Sequence, residues 1–95
     1  MPTAYVLLNT EIGAEHQVLK DLRHIEGIRE VYNLWGIYDI IANVNAETID
    51  ALKHIINRQI AKIAKITSKV TMIVDEEKPL VFDSKVIVNP DMILV

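Results

Sequence analysis

Apolar and polar residues along this chain alternate between two periods. Tyr5-Val6-Leu7-Leu8-Asn9 is a short apolar run and reads as a strand, which Gly13 breaks. From Ala14 the apolar residues fall at Ala14, Val18, Leu22 and Ile25, the spacing of one helical face. Glu15 suits the positive end of such a helix, and Gly27 suits a left-handed stop, so a helix is expected from Ala14 to Ile25. Ile28 to Trp35 and Ile37 to Val44 read as two further strands. The lone Gly36 between them predicts a tight hairpin or a bulged turn joining antiparallel neighbours. Asn45 is then a candidate N-cap, with Glu47 in the first turn. Ile49, Leu52, Ile56, Ile60 and Ile63 follow in steps of three and four residues, one buried stripe. The β-branched residues, Ile55 included, lower helix propensity, but the periodicity outweighs that. Ile66 to Val74 reads as a fourth strand, ended by Asp75-Glu76-Glu77-Lys78-Pro79.

The order strand, helix, strand, strand, helix, strand predicts an α+β, ferredoxin-like βαββαβ domain over residues 1–78. Two helices cover one face of a four-stranded antiparallel sheet. The other face has no helix to cover it, yet between Ile37 and Val44 only Asp39 and Asn43 are strongly polar. A sheet apolar on both sides needs both covered, and a second copy is the simplest cover. An obligate oligomer with sheet faces paired in a dimer is therefore expected. Residues 79–95 form an extension whose apolar runs, Leu80-Val81-Phe82, Val86-Ile87-Val88 and Met92 to Val95, do not suit a free tail. It adds an edge strand, docks on a neighbouring subunit, or covers the open edge of its own domain.

Composition narrows the function. With 95 residues, 51% of them hydrophobic, the chain supports one modest core. Fifteen isoleucines and ten valines against five aromatics leave little surface for stacking bases or flat cofactors. A net charge of −3 disfavours nucleic acid as a primary partner. Arg58, Lys62, Lys65 and Lys69 read as a solvated helix face and its C-terminus, with no aromatics interleaved to stack bases. The absence of cysteine removes disulfides, thiolate metal sites and thiol nucleophiles. No apolar stretch approaches the ~20 residues of a membrane span. No positively charged leader opens the sequence, so a cytoplasmic location is expected.

Catalytic candidates are few. His16 and His24 lack the adjacent-turn spacing of a metal pair, and Asp21–His24 and Asp50–His54 are surface pairs at helical spacing. No phosphate loop or nucleophile elbow is present, so neither an enzyme nor a metal or organic cofactor is expected. The sharpest local feature is Gly36-Ile37-Tyr38-Asp39, where a carboxylate interrupts an apolar run. On one reading Gly36 permits the turn and Asp39 caps backbone amides. On the other, hairpin amides, Tyr38 and Asp39 form a small polar pocket for a ligand's carboxylate and ammonium groups.

Tyr5 to Glu77 resembles the effector-binding, or RAM, domain of the Lrp/AsnC (feast/famine) transcription regulators. The resemblance rests on Tyr5-Val6-Leu7-Leu8, Ile25-Glu26-Gly27-Ile28, Glu30-Val31-Tyr32, Gly36-Ile37-Tyr38-Asp39-Ile40-Ile41-Ala42, Leu52, Ile60 and Thr71-Met72-Ile73-Val74, in that order. It implies a domain that pairs sheets in dimers, assembles dimers into octamers or similar rings, and binds amino acids near the hairpin. It places Gly36, Tyr38 and Asp39 at the ligand pocket and matches Thr71 to a threonine that helps line it. Lys69 stands where the family often has a second threonine, and occupies the site, meets an acidic ligand, or abolishes amino-acid binding. Full regulators carry a helix-turn-helix ahead of this domain. The resemblance thus implies a stand-alone module that makes no direct nucleic-acid contact and co-assembles with a full-length regulator. The competing expectations are a dimeric ferredoxin-like barrel enzyme and a purely structural oligomer without ligand.

Overall fold

Alternation along the first strand, β1 (Thr3–Thr10), decides which side of the sheet meets the helices. Ala4, Val6 and Leu8 are fully buried, and so are their cross-strand partners Val44, Ala42 and Ile40. The structure is a computed structural model that describes residues 1–74; the expected extension over 79–95 lies outside the described residues. After β1 come α1 (Glu15–Arg23), β2 (Ile28–Asn33), β3 (Ile40–Asn45), α2 (Ile49–His54) and β4 (Ile66–Ile73). The strands form one antiparallel sheet in the order β2-β3-β1-β4. This is the expected α+β, ferredoxin-like arrangement.

The helices bury one face. Val18, Leu19 and Leu22 of α1 pack with Leu52, Ile55, Ile56 and Ile60 against the even-numbered residues of β1 and β3. From the anticipated stripe, Leu52, Ile56 and Ile60 are buried, whereas Ile49 is exposed and Ile63 is half-buried.

Three local features differ from the expectation. The hairpin is not a tight turn around Gly36. Strand pairing stops at Asn33↔Ile40, and Leu34 to Asp39 form an open loop between. Gly36 has no positive φ and nothing near it, so its lack of a side chain is not what shapes the loop. Asp39 shapes it instead, as shown below. Secondly, Asn45 ends β3, and the cap of α2 is Thr48, whose Oγ1 accepts from the Ala51 N–H at 3.0 Å. Thirdly, α2 does not run evenly to Ile63. It passes into a π turn at Ile55–Gln59 and a 3-10 turn at Ile60–Lys62, with the Ile60 N–H reaching back to the Ile55 carbonyl. Ile55 and Ile56, three and four residues after Leu52, are both buried on the same face.

Gly27 behaves as expected. Its φ of +100° is costly for any L-residue. A side chain there would also collide, since a Cβ would lie 2.7 Å from Ile55 Cδ1 and 2.8 Å from the Asn45 carbonyl. The Gly27 carbonyl meanwhile accepts from the Asn45 N–H at 2.8 Å, tying the start of β2 to the end of β3. Gly27→Ala is expected to lower stability by roughly 1–3 kcal/mol in urea unfolding. A midpoint equal to that of the parent chain would contradict this packing.

Candidate functional site

The predicted site residues fall into two groups. Gly36, Tyr38 and Asp39 lie in the β2–β3 loop, at the end of the sheet where β1 finishes. Lys69 and Thr71 lie on β4, opposite Leu8 and Val6, on the helix side of the sheet. Since β1 separates β3 from β4, one chain does not bring the two groups together.

Asp39 holds the loop in place. Its N–H donates to the Leu8 carbonyl at 2.9 Å, and its own carbonyl accepts from the Leu34 N–H at 2.8 Å. Its Oδ2 accepts from the Thr10 N–H at 2.9 Å. Pairing of β1 with β3 ends at Leu8↔Ile40, and Thr10 is buried, so its amide would otherwise lack a β3 partner. The carboxylate replaces the missing carbonyl with a charge-assisted bond. Among the described residues this leaves Oδ1 unengaged. Tyr38 is half-buried and its hydroxyl makes no hydrogen bond within the described residues. Residues 35–38 have no backbone partners for their amides there.

Beside the loop is a cleft of about 350 Å³ lined by Glu15, Asn33, Leu34, Trp35 and Asp39. The sequence reading missed the first four. Glu15 looked like a helix-start acid, and Trp35 looked like a strand residue, whereas it sits fully exposed in the loop. Among the described residues the cleft offers two carboxylates, an amide and an indole, and no cationic side chain. It suits an ammonium group. A ligand's carboxylate needs donors from the loop amides or from another molecule. A larger hollow of about 670 Å³ lies at the opposite end, around Gly27, Ala46 and Ile55, and holds none of the predicted site residues.

Lys69 is engaged elsewhere. Its Nζ donates to the Ile56 carbonyl at 2.9 Å, inside the π turn, so the ammonium points at the second helix rather than at the hairpin. Thr71 is exposed beside it. Among the described residues no three His, Asp or Glu side chains stand together as a metal site, and no helix is long and apolar enough to cross a membrane.

Residues 3–79 match the family model of the Lrp/AsnC ligand binding domain. The chain belongs to that family. The family is a regulatory ligand-binding domain of transcription regulators. A hypothetical protein from Pyrococcus horikoshii is 33% identical, with a TM-score of 0.75 over 79% of this chain and 90% of its own. AsnC of E. coli is 24% identical, with a TM-score of 0.74 over 87% of this chain; only 55% of AsnC is covered. A Neisseria meningitidis transcriptional regulator solved with L-Met shares the fold at 12% identity and a TM-score of 0.71, over 93% of this chain and 57% of that one. Among curated proteins, none matches.

Two substitutions test the placement. Asp39→Ala leaves the Thr10 amide without its acceptor and should cost about 1.5–3 kcal/mol in urea unfolding. Lys69→Met frees the Ile56 carbonyl and should cost about 1 kcal/mol in the same assay. An unchanged midpoint in either variant would contradict the corresponding bond.

Proposed function

We propose that this Lrp/AsnC-type domain binds an amino acid at the hairpin cleft and carries that binding into the assembly of its copies. It thereby modulates a full-length Lrp/AsnC regulator in the cytoplasm. The observation that carries this reading is the anionic cleft held by Asp39. Its free Oδ1 and the Glu15 carboxylate suit an ammonium group, while Gly36 and Tyr38 contribute the loop amides for a carboxylate. Thr71 enters the site from a neighbouring copy, since it cannot reach the loop within its own chain. Lys69 contacts a ligand only by giving up the Ile56 carbonyl.

The sheet face that the described residues leave uncovered supports assembly. Tyr5, Leu7, Tyr32, Ile41, Val70 and Met72 share it, and Glu30 is its only charged residue among the paired strand positions. Four strands ~4.8 Å apart and ~6 residues long give roughly 400 Å² of flat area. That is the size of the largest apolar patches on monomers, which are often functional. Face-to-face dimers, further assembled into an octamer or similar ring, cover this surface and bring separate hairpins near one another.

A ligand-free structural oligomer is the second reading. It is favoured by the engagement of both Asp39 and Lys69 in bonds that hold the fold. An enzyme reading has less support, since the inward positions are aliphatic.

A thermal-shift screen against the twenty amino acids at millimolar concentration, with mass read by light scattering, separates these. Selective stabilisation by one or a few amino acids, with a change in mass, is expected. A ligand at about 100 times its Kd would add about 2.7 kcal/mol. A flat screen over an unchanging oligomer would overturn the sensing role.

A further inference from the structure

On the open face of the sheet, the polar side chains pair off within the chain, except at its centre. Asn9 Nδ2 donates to Ser68 Oγ at 3.0 Å, and Asn45 Nδ2 donates to Thr3 Oγ1 at 2.6 Å. The Tyr32 hydroxyl donates to the Glu30 carboxylate, which holds that phenol above its ordinary range. Asn43 and Tyr5 lie opposite one another on β3 and β1, the two middle strands, and have no such partners. Asn43 Oδ1 is buried without a donor among the described residues. Tyr5 is 38% exposed, and its hydroxyl makes no hydrogen bond within the described residues.

An unpaired buried carbonyl costs free energy comparable to a lost hydrogen bond. Nothing else in the described chain supplies the donor. What would satisfy it must bring a donor and accept one in return, because the Asn43 amide and the Tyr5 hydroxyl also donate. It must present an apolar, nearly uncharged surface, because Glu30 is the one charge among the face's paired strand positions in the described residues and is already engaged with Tyr32. A second copy of the same face meets both requirements. Around a two-fold axis lying parallel to the sheet, a residue on the axis meets its own counterpart, and one beside it meets its neighbour across the axis.

We propose that Asn43 fixes how two copies pair. The Asn43 amides turn toward each other across the two-fold and exchange hydrogen bonds, with the Tyr5 hydroxyls beside them as further donors. The proposal rests on the sheet pairing put forward above and adds the residue that sets its registry. The apolar residues around Asn43 supply the attraction. The amide pair selects one alignment among those an aliphatic surface would tolerate, as a single buried asparagine does in a coiled coil.

The chain has no cysteine, so Asn43→Cys introduces the sole thiol. A disulfide needs Cβ atoms ~3.8 Å apart. Under diamide, Asn43→Cys is expected to form a covalent dimer at least ten times faster than Arg23→Cys on the exposed side of α1. Asn43→Asp places two carboxylates together. Its dimer should be at least tenfold weaker at about pH 8 than at about pH 3, where aspartic carboxyls are largely protonated, relative to the parent chain at each pH. If the parent is dimeric but Asn43→Cys links no faster than Arg23→Cys, or folded Asn43→Asp associates normally at pH 8, the role of Asn43 is overturned while sheet pairing stands. Should Asn43→Asp not fold, the cross-linking rate alone decides. A parent chain that runs as a monomer overturns sheet pairing itself.

Discussion

A sheet has two faces, and the two helices of this chain cover one. On that side Ala4, Val6, Leu8, Ile40, Ala42 and Val44 lose all contact with solvent. On the other, Tyr5, Tyr32, Val70 and Met72 remain partly exposed. The β-branched composition that makes the strands stable makes them apolar on both parities. The same residues that form the sheet therefore leave its second face apolar among the described residues, and the assembly proposed above would cover it.

The two ends of the sheet are held by different means. At one end Gly27 lets the α1–β2 connection pass close to Ile55 and bond to the Asn45 amide. At the other, Asp39 closes the loop onto Leu8 and Thr10 with its backbone and carboxylate together. The hairpin is thereby an open loop on a fixed base. Such a loop can present amides and a carboxylate to a ligand, or to another copy, with little ordering cost left to meet. The Lys69 bond to Ile56 links β4 to the irregular middle of the second helix in the same way.

Much of this was legible in the sequence. Helical spacing from Ala14 to Ile25, the stop at Gly27 and the strand runs gave the element order, because each depends on local periodicity. The bare face followed from parity. The hairpin was misjudged, since Gly36 drew attention as a turn residue while the controlling contact, Asp39 with Thr10, is non-local. Asn45 and Thr48 are both good caps, and only the length of β3 chooses between them. The π turn at Ile55–Gln59, with Lys69 of β4 donating to its Ile56 carbonyl, is a feature that helical periodicity does not contain. Glu15 and Trp35 join the site only through the loop's shape. For Lys69, the strand position was readable but the direction of its ammonium was not.

Coupling between folding and association is the central claim, and the concentration dependence of thermal unfolding tests it most directly. If a second copy completes the sheet, the unfolding midpoint rises steadily as protein concentration is raised a hundredfold, by mass action. A cooperative transition whose midpoint is independent of concentration, in a chain that stays monomeric, would show that the bare face is stable alone and contradict the account.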